Sequence, residues 1–315
     1  MDIVASGILI YVDVKVKVGA AMRDIAFEAS DGFPLQGTMF EGKGDGPAVL
    51  ISSAAAVPNT FYRHFASELL ASGASKVLTY DYRGVAKSAV PKRWKSRLGM
   101  KDWGVLDFPA AIDLLKSNAG GKPLVGIGHS YGGLALGLSN RSGDFERYTS
   151  MASLSGYYRN TAEPFAVFAK MNLIALPIAM SLGRLPKWSG IGEELPGSVF
   201  RDWARWCRSP NFLFGDVRTP ESRYFQSVCT PLLAVGITDD PWGTPKAVEH
   251  LLMHYSNAPV IQLWLSPEQS TGGSIGHLGF FRKSHVATLW PPVIDWLLNG
   301  TEPRDAIHRE EQRVA

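Results

Sequence analysis

A serine able to act as a nucleophile stands in Gly128-His129-Ser130-Tyr131-Gly132-Gly133, a G-x-S-x-G pattern. A serine hydroxyl attacks a carbonyl only when a neighbouring base takes its proton. That base, usually an imidazole, needs a carboxylate to fix its tautomer and stabilise its cation. Both residue types follow downstream, acid first and histidine second. The acid lies in Thr238-Asp239-Asp240-Pro241-Trp242. Counting from Pro231 along the preceding strand favours Asp240, whereas counting from Gly236 favours Asp239; the other is then a turn residue or helix cap. The base is His277, flanked by small residues in Ser274-Ile275-Gly276-His277-Leu278-Gly279, expected in a loop just before a helix. The chemistry implied is acyl transfer through a tetrahedral oxyanion, which needs preorganised donors. One is the N–H of Tyr131, the residue after the serine. The second is expected from Ser52-Ser53-Ala54-Ala55-Ala56-Val57-Pro58, where small side chains admit a substrate; Ala54 or Ala55 is the candidate.

These residues need a scaffold. The apolar run Pro123–Ile127 before the motif and the small-residue run Leu134–Leu138 after it read as strand, sharp turn and helix. In that setting the pattern is a nucleophile elbow; without it, Ser130 would be an ordinary helix N-cap. The other segments alternate in the same way. Ile25–Ala29 and Leu35–Phe40 flank Asp31-Gly32 and form a hairpin. Strands are expected at Ala48–Ile51, Val77–Tyr80, Tyr148–Leu154, Pro231–Val235 and Val260–Leu265. Helices are expected after a cap at Asn59 or Thr60, at 103–117, near Lys246–Tyr255 and at Ser284–Leu298, the last bent by Pro291-Pro292. This predicts an α/β fold with a doubly wound, mostly parallel sheet and a leading antiparallel hairpin. Alternation stops between residues 156 and 228, a stretch rich in Trp and Pro. That segment is expected to be a helical lid over a core of residues 22–155 and 229–300, with Val199–Cys207 as one of its helices. Residues 301–315 form a charged tail, expected to fray.

Composition excludes several classes. A net charge of +3, with no basic stripe interleaved with aromatics, argues against nucleic acid as a partner. Two cysteines, Cys207 and Cys229, cannot build a disulfide framework; buried or semi-buried free thiols and a cytoplasmic location are expected. His250 and His254 have an i, i+4 spacing that suits a metal, but no further ligand follows, so no metal and no cofactor is expected. His129 is assigned to packing and hydrogen bonding, and His285 to capping the final helix. No apolar run reaches membrane-spanning length. Ile8–Val12 is apolar but short, follows Asp2 and lacks a basic flank, which argues against a leader. Val12–Val18 alternates as a strand, and residues 1–21 read as an extension ahead of Met22.

Taken together, several segments resemble the alpha/beta-hydrolase superfamily. They are Asp31-Gly32, Ala56-Val57-Pro58 with Phe61-Tyr62 and Phe65-Ala66, Tyr80-Asp81-Tyr82-Arg83-Gly84 and Gly128–Gly133. Leu195-Pro196 with Trp203–Cys207, Asp239-Asp240 and Gly276–Phe281 continue the resemblance, which spans about residues 22–298. More closely, the chain is similar to a bacterial group of predicted alpha/beta hydrolases without a settled substrate. The resemblance implies the fold, a Ser-Asp-His triad and hydrolase chemistry on a small-molecule acyl substrate. The chain departs from the pattern at Ala55-Ala56, where a Thr or Ser and a Gly are more usual, and after Gly84, where Val85-Ala86-Lys87-Ser88 lacks a second Gly. Hydrolysis of a carboxylic ester is the expectation, with thioester or amide cleavage through the same acyl-enzyme on Ser130 as its variants. Acyl transfer by the same triad and a catalytically inert binding protein are the alternatives.

Overall fold

The computed structural model describes residues 21–309 apart from Lys95. The expected strand at 12–18 and the extension before it lie outside the described residues. The chain opens on a hairpin of β1 (Ala21–Glu28) and β2 (Pro34–Glu41), paired antiparallel with Phe27 opposite Leu35. Gly32 turns between them at φ +79°. Then β3 (Ala48–Ser52), α1 (Arg63–Ala71), β4 (Lys76–Asp81), α2 (Phe108–Asn118), β5 (Leu124–His129), α3 (Tyr131–Ser139) and β6 (Phe145–Met151) alternate. The chain next leaves the sheet for α4 (Pro164–Phe168), α5 (Leu176–Leu182), a short ribbon of β7 (Arg184–Leu185) against β8 (Leu195–Pro196), and α6 (Gly197–Arg208). It returns with β9 (Leu232–Ile237), α7 (Pro245–Leu252), β10 (Val260–Leu265), α8 (Gly276–Gly279), α9 (Trp290–Asn299) and β11 (Ile307–His308).

The main sheet has nine strands in the order β1-β2-β4-β3-β5-β6-β9-β10-β11. From β4 to β10 every neighbouring pair is parallel. Such strands are buried on both faces, and alternate residues serve opposite cores. On one face Val49, Ile51, Val125 and Ile127 pack with Phe65 and Leu69 of α1 and Trp290 and Val293 of α9. On the other, Leu50, Leu78 and Leu124 pack with Ile112 and Leu115 of α2, Leu134 of α3 and Leu251 of α7. The expected doubly wound fold with a leading antiparallel hairpin is therefore what the chain adopts.

The differences have physical causes. Asn59 does not cap α1: a 3₁₀ turn, Asn59–Tyr62, precedes that helix. The buried Asn59 carboxamide accepts instead from the hydroxyls of Thr38 (3.1 Å) and Thr79 (3.2 Å). β6 starts at Phe145 and ends at Met151, earlier than expected, because Ala152 turns the chain at φ +48°. The final helix begins at Trp290, and Pro291-Pro292 sit in its first turn instead of bending it, a position where a missing N–H removes no helical bond. His285 does not cap that helix; its Nδ1 meets Ser270 Oγ at 2.5 Å. Up to residue 309 the tail packs back on the core. β11 pairs antiparallel with β10, and buried Arg309 reaches the Leu252 carbonyl at 2.6 Å and Glu249 at 2.7 Å. Cys207 is buried as expected, but Cys229 is exposed. The apolar stretch is also longer than the sequence suggested. α4, a π-helical segment (Ala169–Ala175) and α5 form a 19-residue helix, Pro164–Leu182, containing an 18-residue window of mean hydropathy 1.7, enough by length and composition to cross a membrane. Lys170, Asn172 and Pro177 interrupt the run in the sequence and hide it.

Candidate active site

Ser130 sits between the end of β5 and the first residue of α3 with φ +52° and ψ −106°. Such a conformation costs an L-residue roughly 1–3 kcal/mol and persists only where the surroundings enforce it. Glycines on either side do so. A Cβ on Gly128 would lie 2.2 Å from the Gly132 carbonyl carbon, and one on Gly132 would lie 2.4 Å from the Ser52 oxygen. The strand-turn-helix can close this tightly only without those side chains. The Ser130 N–H is held by the Met151 carbonyl at 2.8 Å, which fixes the turn to β6.

His277 comes from the segment after β10, three strands along the sheet from β5. It is the second residue of the short helix α8, where a loop was expected, and Gly276 at φ +57° turns the chain into that helix. Its Nε2 lies 3.0 Å from Ser130 Oγ and its Nδ1 lies 2.7 Å from Asp240 Oδ2. Asp240 is buried and also accepts from the Trp242 N–H at 2.8 Å. Burial works to raise its pKa. The hydrogen bond and charge of His277, aided by the Trp242 and Gly243 N–H groups, outweigh burial and hold the carboxyl below its usual range. A carboxylate acceptor at Nδ1 leaves Nε2 free to take a proton from the serine.

Of the two aspartates weighed from sequence, Asp240 faces the imidazole. Asp239 points elsewhere: its carboxylate accepts from Ser274 Oγ (2.9 Å), the Ile275 N–H (2.9 Å) and the Gly276 N–H (2.8 Å). It thereby holds the segment that carries His277.

The Tyr131 N–H opens α3, where a helix offers it no internal acceptor. Its phenol points away and donates to the Met100 carbonyl at 2.6 Å. In the facing loop, the Ala54 N–H is already committed, donating to Tyr62 Oη at 2.9 Å. This narrows the second candidate donor to Ala55. Ala56, where the resemblance implied a Gly, adopts φ +58°, the conformation a Gly would take freely.

A hydrogen-bonded series missed in the sequence joins these loops. Tyr62 Oη lies 2.9 Å from His129 Nδ1, and His129 Nε2 lies 2.8 Å from the His277 carbonyl. A carbonyl only accepts, so Nε2 carries the proton and Nδ1 accepts from the tyrosine. Burial, then the neighbouring His277, pushes the His129 pKa down to about 3, so the ring is neutral. The series runs Ala54 N–H, Tyr62, His129, His277 carbonyl. It ties the loop after β3 to the elbow and to α8. Tyr62 and His129 lie on separate elements with no shared periodicity, so the sequence offered no signal for the pair.

Ser130 and His277 open into a cavity of about 250 Å³. Its walls are mainly apolar, with Leu134 and Leu154 on the core side and Met171, Ile191, Trp203 and Phe212 from the excursion between β6 and β9. Gly192 of that excursion packs on Ala56, and the Glu193 N–H donates to the Ala56 carbonyl at 2.8 Å. Elsewhere, His254 stacks on Phe214 with ring centres 3.3 Å apart. Among the described residues, no three His, Cys, Asp or Glu side chains gather to hold a metal ion.

The Tyr80–Gly84 segment does structural work below the site. The buried Arg83 guanidinium meets Asp107 at 2.6 Å and Asp31 of the hairpin turn at 2.7 Å, and lies 4.9 Å from the Phe33 ring centre.

The sequence matches the Alpha/beta hydrolase family over residues 48–285, more than half of the chain. No curated protein matches it significantly. Among solved structures it is similar to the alpha/beta hydrolase GrgF from Penicillium sp. sh18, at 17% identity and a TM-score of 0.56, covering 88% of this chain and 99% of that one. It is also similar to an esterase from Pyrococcus furiosus, at 15% identity and a TM-score of 0.51, covering 84% of this chain and 86% of that one. A thioesterase domain from the curacin biosynthetic pathway aligns at 15% identity and a TM-score of 0.51, covering 85% and 97%. At these identities the likeness speaks to fold alone. With the family match over most of the sheet and the architecture described above, the chain belongs to the alpha/beta hydrolase family.

Proposed function

We propose that this hydrolase cleaves a carboxylic ester through an acyl-enzyme on Ser130. The observation that carries the reading is the hydrogen-bonded series Ser130 Oγ, His277 and Asp240, at 3.0 Å and 2.7 Å. In the first step Ser130 Oγ attacks the carbonyl carbon while His277 Nε2 takes the hydroxyl proton. Asp240, ionised and buried, orients the ring and stabilises the imidazolium. The N–H groups of Tyr131 and Ala55 receive the oxyanion. Collapse expels the alcohol, which takes the proton from His277. Water then attacks the acyl-enzyme with His277 again as base; the acyl–Oγ bond breaks, Ser130 Oγ takes the proton back from His277, and the acid departs.

Residues 156–228 act as the lid, with Met171, Ile191, Trp203 and Phe212 forming the acyl wall. The cavity is smaller than most ligand pockets, which span about 300–1,000 Å³, and its apolar lining fits a short or medium acyl chain. The test is hydrolysis of a p-nitrophenyl ester series from acetyl to long acyl groups. Ser130→Ala is expected to lower kcat by about 10⁴-fold or more, with an optimum at short or medium chains in the wild type. Undiminished turnover by Ser130→Ala would overturn the proposal.

A further inference from the structure

The helix Pro164–Leu182 is apolar on both sides. Its inner stripe, Val167, Met171, Ala175 and Ala179, is buried at four-residue spacing. Its outer stripe is exposed: Phe165 at 88%, Leu173 at 66%, Ile174 at 58% and Leu182 at 53%. A helix hydrophobic all round is ordinarily buried in protein or lipid, and an exposed apolar face of this kind marks an interaction surface. The inner stripe lies against the rest of the protein, so the helix lies along the surface and does not pass through a bilayer.

The charges at its edge choose between partners. Lys170 lies on the helix and donates to the Gly190 carbonyl at 3.3 Å; Arg208 of α6 reaches Asn172 at 2.5 Å. Among the described residues neither has a carboxylate partner. Lys187 pairs with Glu193 and Arg184 with Glu194, and Glu163 at the start of the helix is the exposed acid nearby. A second copy packed face to face by a two-fold axis would bring Lys170 and Arg208 toward their own counterparts. Anionic headgroups would instead meet them while the apolar stripe enters the acyl region. Trp188, 70% exposed and two residues from Gly190, is the residue type that settles at such a boundary.

We infer that the outer face of the Pro164–Leu182 helix docks on an anionic lipid surface. Lys170 and Met171 of the same helix line the cavity that holds Ser130, so docking places its mouth beside the lipid. The docking stands without the ester-hydrolase proposal; only delivery of a lipid-borne acyl substrate rests on it.

The test is co-sedimentation of the full chain with vesicles of phosphatidylcholine alone and of phosphatidylcholine mixed with phosphatidylglycerol. Because binding is read without catalysis, the Ser130→Ala protein serves equally well and separates this result from the hydrolase question. The wild type is expected to bind the mixed vesicles. Phe165→Ser with Leu173→Ser and Ile174→Ser, all surface positions, is expected to weaken binding about ten-fold or more with the circular dichroism spectrum unchanged. Lys170→Glu with Arg208→Glu is expected to weaken binding to the anionic vesicles about ten-fold and to leave binding to neutral ones unchanged. A folded wild type that binds neither vesicle, or a triple-serine variant that binds as the wild type does, overturns the proposal. A dimer dissociated by the triple-serine substitution, without vesicle binding, also overturns it in favour of a second copy.

Discussion

Ser130 and its partners depend on side chains that never meet a substrate. His129, buried and neutral, bridges the Tyr62 hydroxyl and the His277 carbonyl, so one imidazole positions the backbone of another. Removing the tyrosine hydroxyl strands two buried groups, the Ala54 N–H and His129 Nδ1. Leaving such groups unpaired costs about 1–3 kcal/mol. Tyr62→Phe should therefore lower the urea unfolding free energy by about 2 kcal/mol and reduce kcat without shifting the acyl-chain optimum. Unfolding curves and ester kinetics on the same variant check this. The meeting of Ser130, His277 and an acid at 239 or 240 was legible in the sequence, because chain order and small flanking residues carry that information. The Tyr62–His129 bridge was not, because it exists only once β5 and the segment before α1 are packed together.

At the scale of elements, Asp239 seats the turn leading into α8 through three hydrogen bonds. Burial pushes its pKa up, but the Gly276, Ser274 and Ile275 donors outweigh it and hold the carboxyl below its ordinary value. A depressed folded pKa contributes stability in full above the unfolded value of about 3.9, and that contribution is lost as pH falls through the folded pKa. Asp240 adds in the same direction. Asp239→Asn is predicted to be less stable than wild type at neutral pH and to lose less stability on acidification. Thermal unfolding followed from about pH 7 to about pH 3 checks it; parallel wild-type and variant curves would contradict it. The element pattern itself was well marked: buried strands announced themselves as short apolar runs, and Asp31-Gly32 announced the hairpin turn. Helix ends were less legible. Pro291-Pro292 is compatible with either a bend or a first turn, and tertiary packing on β3 and β5 decides for the turn. The π-helical segment at Ala169–Ala175, which joins α4 to α5, has no sequence signature.

The whole molecule explains why residues so far apart in sequence converge. The parallel block from β4 to β10 aligns the carboxyl ends of its strands at one edge, where open α/β sheets gather their ligands. Ala55 follows β3, Ser130 follows β5, Asp240 follows β9 and the His277 segment follows β10. The excursion between β6 and β9 supplies the facing wall of the cavity. Its composition marked it as separate from the sheet, but which of its residues line the cavity depends on contacts no local pattern encodes. On the proposed reading, nucleophilicity at Ser130 is a property of the assembled fold. The most direct measurement is labelling with a fluorophosphonate probe followed by peptide mass mapping, on native wild type, urea-unfolded wild type and His277→Ala. Modification of native wild type at Ser130 alone, lost on unfolding and in the variant, is the predicted result. A native protein that takes up no probe, takes it up elsewhere, or reacts at Ser130 equally well without His277 would contradict the account.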